Sequence, residues 1–149
     1  ANQSRKLLED DVVVQIEKYR KPRSLEANAY HWVLCSRIAA VLETDTESVH
    51  YDLMLRYGFP RMQEDGNASL IRALPQVDLR KEHIYGRWLR TEETDGIIYD
   101  YYLEIMPSHE YNSAQMAVLI RGTIDEANAL GIVTDPQLVR DLMEDLHEK

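Results

Sequence analysis

The dipeptide Asp95-Gly96 is the sequence feature that most restricts the fold of this chain. It lies between two segments, 84–90 and 97–106, that are rich in β-branched and aromatic residues, as β-strands are. Asp-Gly between two such segments predicts a tight β-hairpin, and hence an antiparallel pair of strands. A short strand is also predicted over 68–74, and an alternating β-branched segment predicts another over 12–19.

Helical spacing of apolar residues predicts three or four helices around this sheet. One helix is expected over 25–43 and a second over 45–57, with Thr44 opening a capping box between them. Asn112, with Gln115 three positions later, predicts the start of a third, and Pro136 the start of a last one. The predicted fold class is therefore α+β, a small antiparallel sheet of about four strands with three to four helices. The length of 149 residues fits a single domain over 1–149.

Composition limits the setting and the chemistry. The single cysteine, Cys35, excludes an internal disulfide and any multi-cysteine metal site. No apolar run approaches the ~20 residues of a membrane span, and no signal segment opens the sequence, so a cytoplasmic protein without a membrane partner is expected. The net charge of −9 is concentrated in residues 91–149, while residues 61–90 carry a small positive excess. Overall acidity argues against nucleic-acid binding, but a local basic surface is sufficient for it.

Catalytic motifs are absent from the sequence: it has no nucleophile elbow, P-loop, dinucleotide fingerprint or HExxH pair. Cys35 is interpreted as a buried thiol. The segment Ser108–Asn112 is the most nuclease-like, since His109 and Asn112 near a strand-to-helix turn resemble part of an HNH-like metal site, with His83 as a possible further ligand. The alternative interpretation, a loop histidine beside a helix cap, is favoured. No catalytic residue, metal ligand or cofactor is therefore predicted.

Cationic and aromatic side chains occur together in two places, as they do in single-strand-binding proteins. The first group surrounds the predicted start of the first helix, whose free N–H groups also favour phosphate. The second follows a predicted strand, on which strict alternation would place Trp88 and Arg90 on one face and Arg87 and Leu89 on the other. Structural use of these aromatic residues in the core is the equally open alternative. The candidate nucleic-acid-binding residues are Lys18, Arg20, Lys21, Arg23, Asn28, Tyr30, Lys81, Arg87, Trp88 and Arg90.

Residues 20–57 carry a family resemblance. The segment Arg23-Ser24-Leu25-Glu26-Ala27-Asn28, followed by Trp32, resembles the R-S-L-(D/E)-x-N-x-x-x-W block of the NinB (Orf) family of phage recombination mediators. The segment from Ser108 to Ile132 is similar to a tail found in hypothetical proteins of phages from Gram-positive bacteria.

This resemblance implies a homodimer that binds single-stranded DNA and helps to load a recombinase against a single-strand-binding protein, without catalysis. The positions that match the motif are Arg23, Ser24, Leu25, Glu26, Asn28 and Trp32. Two alternatives stay open. One is a metal-dependent phage nuclease that uses Ser108–Asn112, and the other is a protein-docking module that uses the acidic C-terminal helix.

Overall fold

The computed structural model describes residues 23–147 of the chain, with side chains from residue 26 to residue 146. Within this range it has four α-helices and one three-stranded antiparallel sheet, which confirms the α+β class with one strand fewer than expected. The strand predicted over 12–19 lies outside the described residues. The elements are α1 (Arg23–Leu42), α2 (Thr46–Tyr57), β1 (Leu70–Ala73), β2 (Gly86–Thr94), β3 (Ile97–Glu104), a 3-10 turn (Ser108–Glu110), α3 (Ser113–Ala129) and α4 (Pro136–His147).

The joint between α1 and α2 is built from local backbone chemistry. Glu43 adopts a left-handed conformation with φ of 58°, and the Thr44 N–H donates to the carbonyl of Ala39, which closes α1. The Asp45 carboxylate then accepts from the backbone N–H of Ser48 at 2.8 Å and caps α2. The predicted cap at Thr44 is thus wrong by one residue, because it is Asp45 that supplies the oxygen.

The start of α3 is confirmed as predicted. The Asn112 side chain accepts from the backbone N–H of Gln115 at 2.8 Å, and the Gln115 side chain accepts from the backbone N–H of Asn112 at 3.0 Å. This capping box satisfies two donors that a helix N-terminus otherwise leaves unpaired.

The core lies among the four helices, with α1 packed against both α2 and α3. Its most completely buried large apolar side chains are Leu34, Met54, Ile105, Leu119, Ile120, Leu142 and Leu146. No helix among the described residues is long and apolar enough to cross a membrane.

The sheet has the strand order β1-β3-β2, with β3 in the centre. The hairpin predicted from Asp95-Gly96 is confirmed: the two residues have φ of 53° and 82°, the positive values that a two-residue hairpin turn requires. Most of β2 is exposed, so the hairpin extends beyond the helices and presents both of its faces.

Candidate functional site

A β-bulge at Leu89 determines which side chains of β2 share a face. Trp88 lies opposite Tyr102 of β3, whereas Arg90 lies opposite Tyr101. Residues directly opposite each other in an antiparallel pair share a face, and neighbours along a strand alternate, so Trp88 and Arg90 lie on opposite faces. The alternation predicted from the sequence is wrong here, because the bulge inserts one extra residue.

One face of the sheet pairs arginine with tyrosine. Tyr101 lies opposite Arg72 of β1 on one side and Arg90 of β2 on the other. The Arg90 guanidinium carbon is 4.6 Å from the centre of the Tyr101 ring, and that of Arg72 is 4.2 Å from the centre of the Tyr99 ring. Arg90 also forms an exposed ion pair with Glu92. We call Arg72, Arg90, Tyr99 and Tyr101 the arginine–tyrosine face.

The opposite face is less basic and partly apolar. Trp88 is 57% exposed, and its indole N–H donates to Asp100 at 3.2 Å. The Thr91 hydroxyl donates to the same carboxylate. Ile98, which is 52% exposed, lies on this face too, because it is an even number of positions from Asp100 along β3. We call this the Trp88 face.

The Arg87 side chain hydrogen-bonds to backbone carbonyls within the fold. Its Nε donates to the carbonyl of Leu55 at 2.7 Å, and its Nη2 donates to the carbonyl of Gly58 at 2.8 Å. Both carbonyls lie at the C-terminal end of α2, where a cation is also favoured by the helix dipole. Arg87 therefore attaches the sheet to the helical layer, and its guanidinium is already occupied.

Two further predicted residues lie on α1. Tyr30 is half-buried and packs against the core, and Asn28 is half-buried one turn before Trp32. Tyr30 therefore contributes to packing, and its role in DNA binding stays a prediction.

Of the remaining predicted cations, only Lys81 has a described side chain. Lys81 is exposed in the loop before β2. Arg23 opens α1, with its side chain outside the described part, and Lys18, Arg20 and Lys21 precede the described residues.

The nuclease-like segment has a structural explanation. Asn112 caps α3, and Glu110 is ion-paired with Arg61 at 3.0 Å, while the His109 side chain is 79% exposed. Across residues 23–147, no group of three potential metal ligands includes His109 or His83.

The acidic C-terminal helix lies against the domain. Leu142, Met143 and Leu146 on α4 are buried, while Asp141 and Glu144 are exposed. The apolar side of α4 is thus already covered, and its acidic residues face outward.

A second polar site is buried between the helices. His31 Nε2 lies 2.9 Å from His50 Nδ1, and His31 Nδ1 lies 2.9 Å from the Thr123 hydroxyl. His50 Nε2 lies 3.1 Å from the Tyr85 hydroxyl, which completes a chain of hydrogen bonds from Thr123 to Tyr85. The Cys35 sulfur is 3.4 Å from His31 Nε2. We call His31, Cys35 and His50 the buried triad.

The hydrogen bonds assign the protons along this chain. The Thr123 hydroxyl donates to the carbonyl of Leu119 at 2.9 Å, so its one proton is used and it must accept from His31 Nδ1–H. His31 Nε2 then accepts from His50 Nδ1–H, and His50 Nε2 accepts from the Tyr85 hydroxyl. Every ring nitrogen is satisfied with both histidines neutral.

Burial enforces this neutral state. Desolvation, with a further contribution from the neighbouring His50, lowers the pKa of His31 to about 3, and desolvation lowers the pKa of His50 to about 4. Desolvation also raises the pKa of the Cys35 thiol to about 12. The interpretation of Cys35 as a buried thiol is confirmed.

This chain of hydrogen bonds reaches the surface at His50 and Tyr85, which line a cleft of about 480 Å³. The Trp32 ring stacks on His50 with centroids 4.2 Å apart and forms part of the wall. On the far side, Arg80 donates to Ser48 and lies over the Tyr51 ring. The complete lining is Trp32, Asp45, Glu47, Ser48, His50, Tyr51, Arg80, His83 and Tyr85.

Sequence reasoning did not identify the buried triad, although part of it was visible. His31 and Cys35 are four positions apart on α1 and therefore share a helix face. The HExxH motif requires two histidines at that spacing and therefore does not detect a histidine–cysteine pair. His50 lies on the next helix, so only the fold brings it to the other two.

Comparison with known protein families, with curated proteins and with solved structures found no match to this chain, so the resemblance to the NinB family stays a prediction.

Proposed function

We propose that the protein binds single-stranded DNA on the arginine–tyrosine face and acts as a non-catalytic phage recombination mediator. The observation that carries the DNA-binding proposal is the pairing of each of two tyrosine rings with a guanidinium group on one exposed face of the sheet. The mediator role, with a recombinase or a single-strand-binding protein as partner, rests on the resemblance of residues 20–57.

The chemistry of this face suits an unpaired strand. Every base has an apolar, polarizable face, which stacks on an aromatic ring or on a guanidinium plane without regard to sequence. A base can stack on the guanidinium of Arg72 or Arg90, or displace it from the tyrosine ring. A displaced guanidinium then remains within reach of the phosphate backbone.

Charge on the face is local and modest. Arg90 is ion-paired with Glu92, so the two arginines give this face only a small positive charge in a protein whose net charge is −9. For single strands, each phosphate contact adds about 0.7 to the slope of log affinity against log salt.

Fluorescence anisotropy with a labelled oligo-dT at several salt concentrations tests the proposal. We expect salt-sensitive binding, and a double variant, Arg72→Gln with Arg90→Gln, should lower the salt slope by about 1.4. Arg140→Gln on α4 is the matched control, since it removes an exposed cation away from the sheet. Binding that is indifferent to salt, or a double variant that behaves like the control, would exclude this face.

We also propose that two copies associate through the Trp88 face. The homodimer is what the family resemblance implies, and Trp88 and Ile98, each more than half exposed on this face, are apolar side chains that a second copy would cover. Sedimentation velocity tests this: Ile98→Glu should give monomers, whereas Val133→Glu, at an apolar position that is 84% exposed elsewhere, should not. A monomeric parent protein would contradict it.

A further inference from the structure

We propose that the buried triad of His31, Cys35 and His50 binds a zinc ion. Each residue offers one ligand atom, and the three atoms lie within 4.8 Å of one another. Imidazole nitrogen and thiolate sulfur are the ligands that zinc takes most often in proteins. Neither the sequence resemblance nor the DNA-binding proposal depends on this site.

The spacing of the ligand atoms is close to that of a tetrahedral zinc site. Bond lengths of about 2.0–2.1 Å to nitrogen and about 2.3 Å to sulfur put two nitrogens about 3.3 Å apart, and nitrogen and sulfur about 3.6 Å apart. The corresponding separations here are 2.9 Å between His31 Nε2 and His50 Nδ1, and 3.4 Å between His31 Nε2 and the Cys35 sulfur. The Cys35 sulfur and His50 Nδ1, which a tetrahedral site also puts about 3.6 Å apart, lie within 4.8 Å of each other, so binding the ion requires small side-chain adjustments.

The outer nitrogens of both histidines have partners, as is usual for metal-bound histidine. Thr123, itself fixed by its hydrogen bond to the Leu119 carbonyl, holds His31 Nδ1, and the Tyr85 hydroxyl holds His50 Nε2. The two rings are thereby oriented with His31 Nε2 and His50 Nδ1 facing each other. This arrangement uses residues from α1, α2, α3 and the segment before β2.

The protons balance with a single release. The Cys35 S–H bond breaks, the sulfur binds the ion, and the proton passes to solvent. His50 exchanges its Nδ1 proton for one on Nε2, so that Nδ1 is free to bind and Nε2–H donates to the Tyr85 oxygen. Both histidines stay neutral, and the thiolate compensates one of the two charges of the ion.

His50 is the member of the triad that lines the cleft, while His31 and Cys35 are completely buried. Tyr85 also lines the cleft, and the carboxylates of Asp45 and Glu47 border it, where they attract cations. Three protein ligands leave one tetrahedral position, which a water molecule would fill.

The test uses the full chain without a histidine tag. We expect one equivalent of zinc by elemental analysis, and one equivalent of Co²⁺ after exchange, with a thiolate-to-cobalt charge-transfer band and visible bands of a four-coordinate ion. Cys35→Ser should abolish the charge-transfer band and weaken Co²⁺ binding at least tenfold. His83→Asn is the control, because His83 lines the same cleft outside the triad and its loss should leave the spectrum unchanged.

The proposal is overturned if the parent protein takes up no stoichiometric metal, or if its cobalt spectrum lacks the thiolate band. It is also overturned if His83→Asn removes binding while Cys35→Ser does not. Should the Cys35→Ser protein not fold, X-ray absorption of the zinc-loaded parent protein decides instead. One sulfur at about 2.3 Å with two nitrogens at about 2.0 Å supports the triad, and a shell without sulfur refutes it.

Discussion

The Nδ1 atom of His50 lies 2.9 Å from Nε2 of His31, although the two residues are 19 positions apart on different helices. Both rings are buried, and both are neutral in the folded protein because desolvation opposes their protonation. The unfolded chain exposes the same rings to water, where each has a pKa near 6.5. The pair therefore links the stability of the fold to pH.

The metal-free protein should lose stability as the pH falls below 6.5. With folded pKa values of about 3 for His31 and about 4 for His50, only the unfolded state takes up protons in this range, so the loss continues down to those values. Between pH 7 and pH 5 each histidine should cost about 2 kcal/mol of unfolding free energy. Urea unfolding in the presence of a chelator at the two pH values measures this.

His50→Gln should reduce that pH dependence, whereas His109→Gln, at an exposed histidine, should retain it. Equal stability of the parent protein at pH 7 and pH 5 would contradict the neutral buried pair.

Arg87 should matter for stability far more than Arg90 does. Arg87→Met removes two hydrogen bonds and leaves the carbonyls of Leu55 and Gly58 without a partner, at an expected cost of about 2–3 kcal/mol. Arg90→Met, on the same strand but exposed, should cost no more than about 0.5 kcal/mol. The urea midpoints of the two variants compare them, and equal shifts would show that Arg87 does not attach the sheet to α2.

A side chain at Gly122 should destabilise the protein. A Cβ atom at this position of α3 would lie 2.5 Å from the Tyr57 ring, which is fixed by the hydrogen bond from its hydroxyl to Glu126 at 2.7 Å. We expect Gly122→Ala to destabilise the protein by about 1–3 kcal/mol, although alanine favours helix over glycine by about 1 kcal/mol. Thermal unfolding tests this against Ser36→Ala at an exposed position of α1, which should be neutral or slightly stabilising. A Gly122→Ala protein as stable as the parent would contradict this close contact.

Local signals in the sequence predicted most of the fold. Asp95-Gly96 predicted the hairpin, and Asn112 with Gln115 predicted the start of α3. In each case the turn or the capping hydrogen bonds involve residues within four positions of one another. The bulge at Leu89 has no comparable signal, since it depends on how β2 pairs with β3. One inserted residue was enough to separate Trp88 from Arg90.

The candidate site was less predictable for the same reason. Arg90 was identified as a cation among aromatic residues, but its stacking partner Tyr101 comes from the neighbouring strand. Arg87 has the same sequence context, yet it lies near the end of α2 and donates a hydrogen bond to the carbonyl of Gly58 there. His31 and His50 meet only after α1 and α2 have packed together.

Tyr101 and Tyr102 provide the most direct test of the central claim, that single-stranded DNA binds on the arginine–tyrosine face. They are adjacent on β3 and therefore point to opposite faces. We would measure oligo-dT affinity by anisotropy for Tyr101→Leu and Tyr102→Leu, after confirming by circular dichroism that both fold. One lost stacking contact of about 1–3 kcal/mol predicts at least a fivefold weaker affinity for Tyr101→Leu, and a change within about twofold for Tyr102→Leu. Equal affinities, or a loss confined to Tyr102→Leu, would contradict the claim.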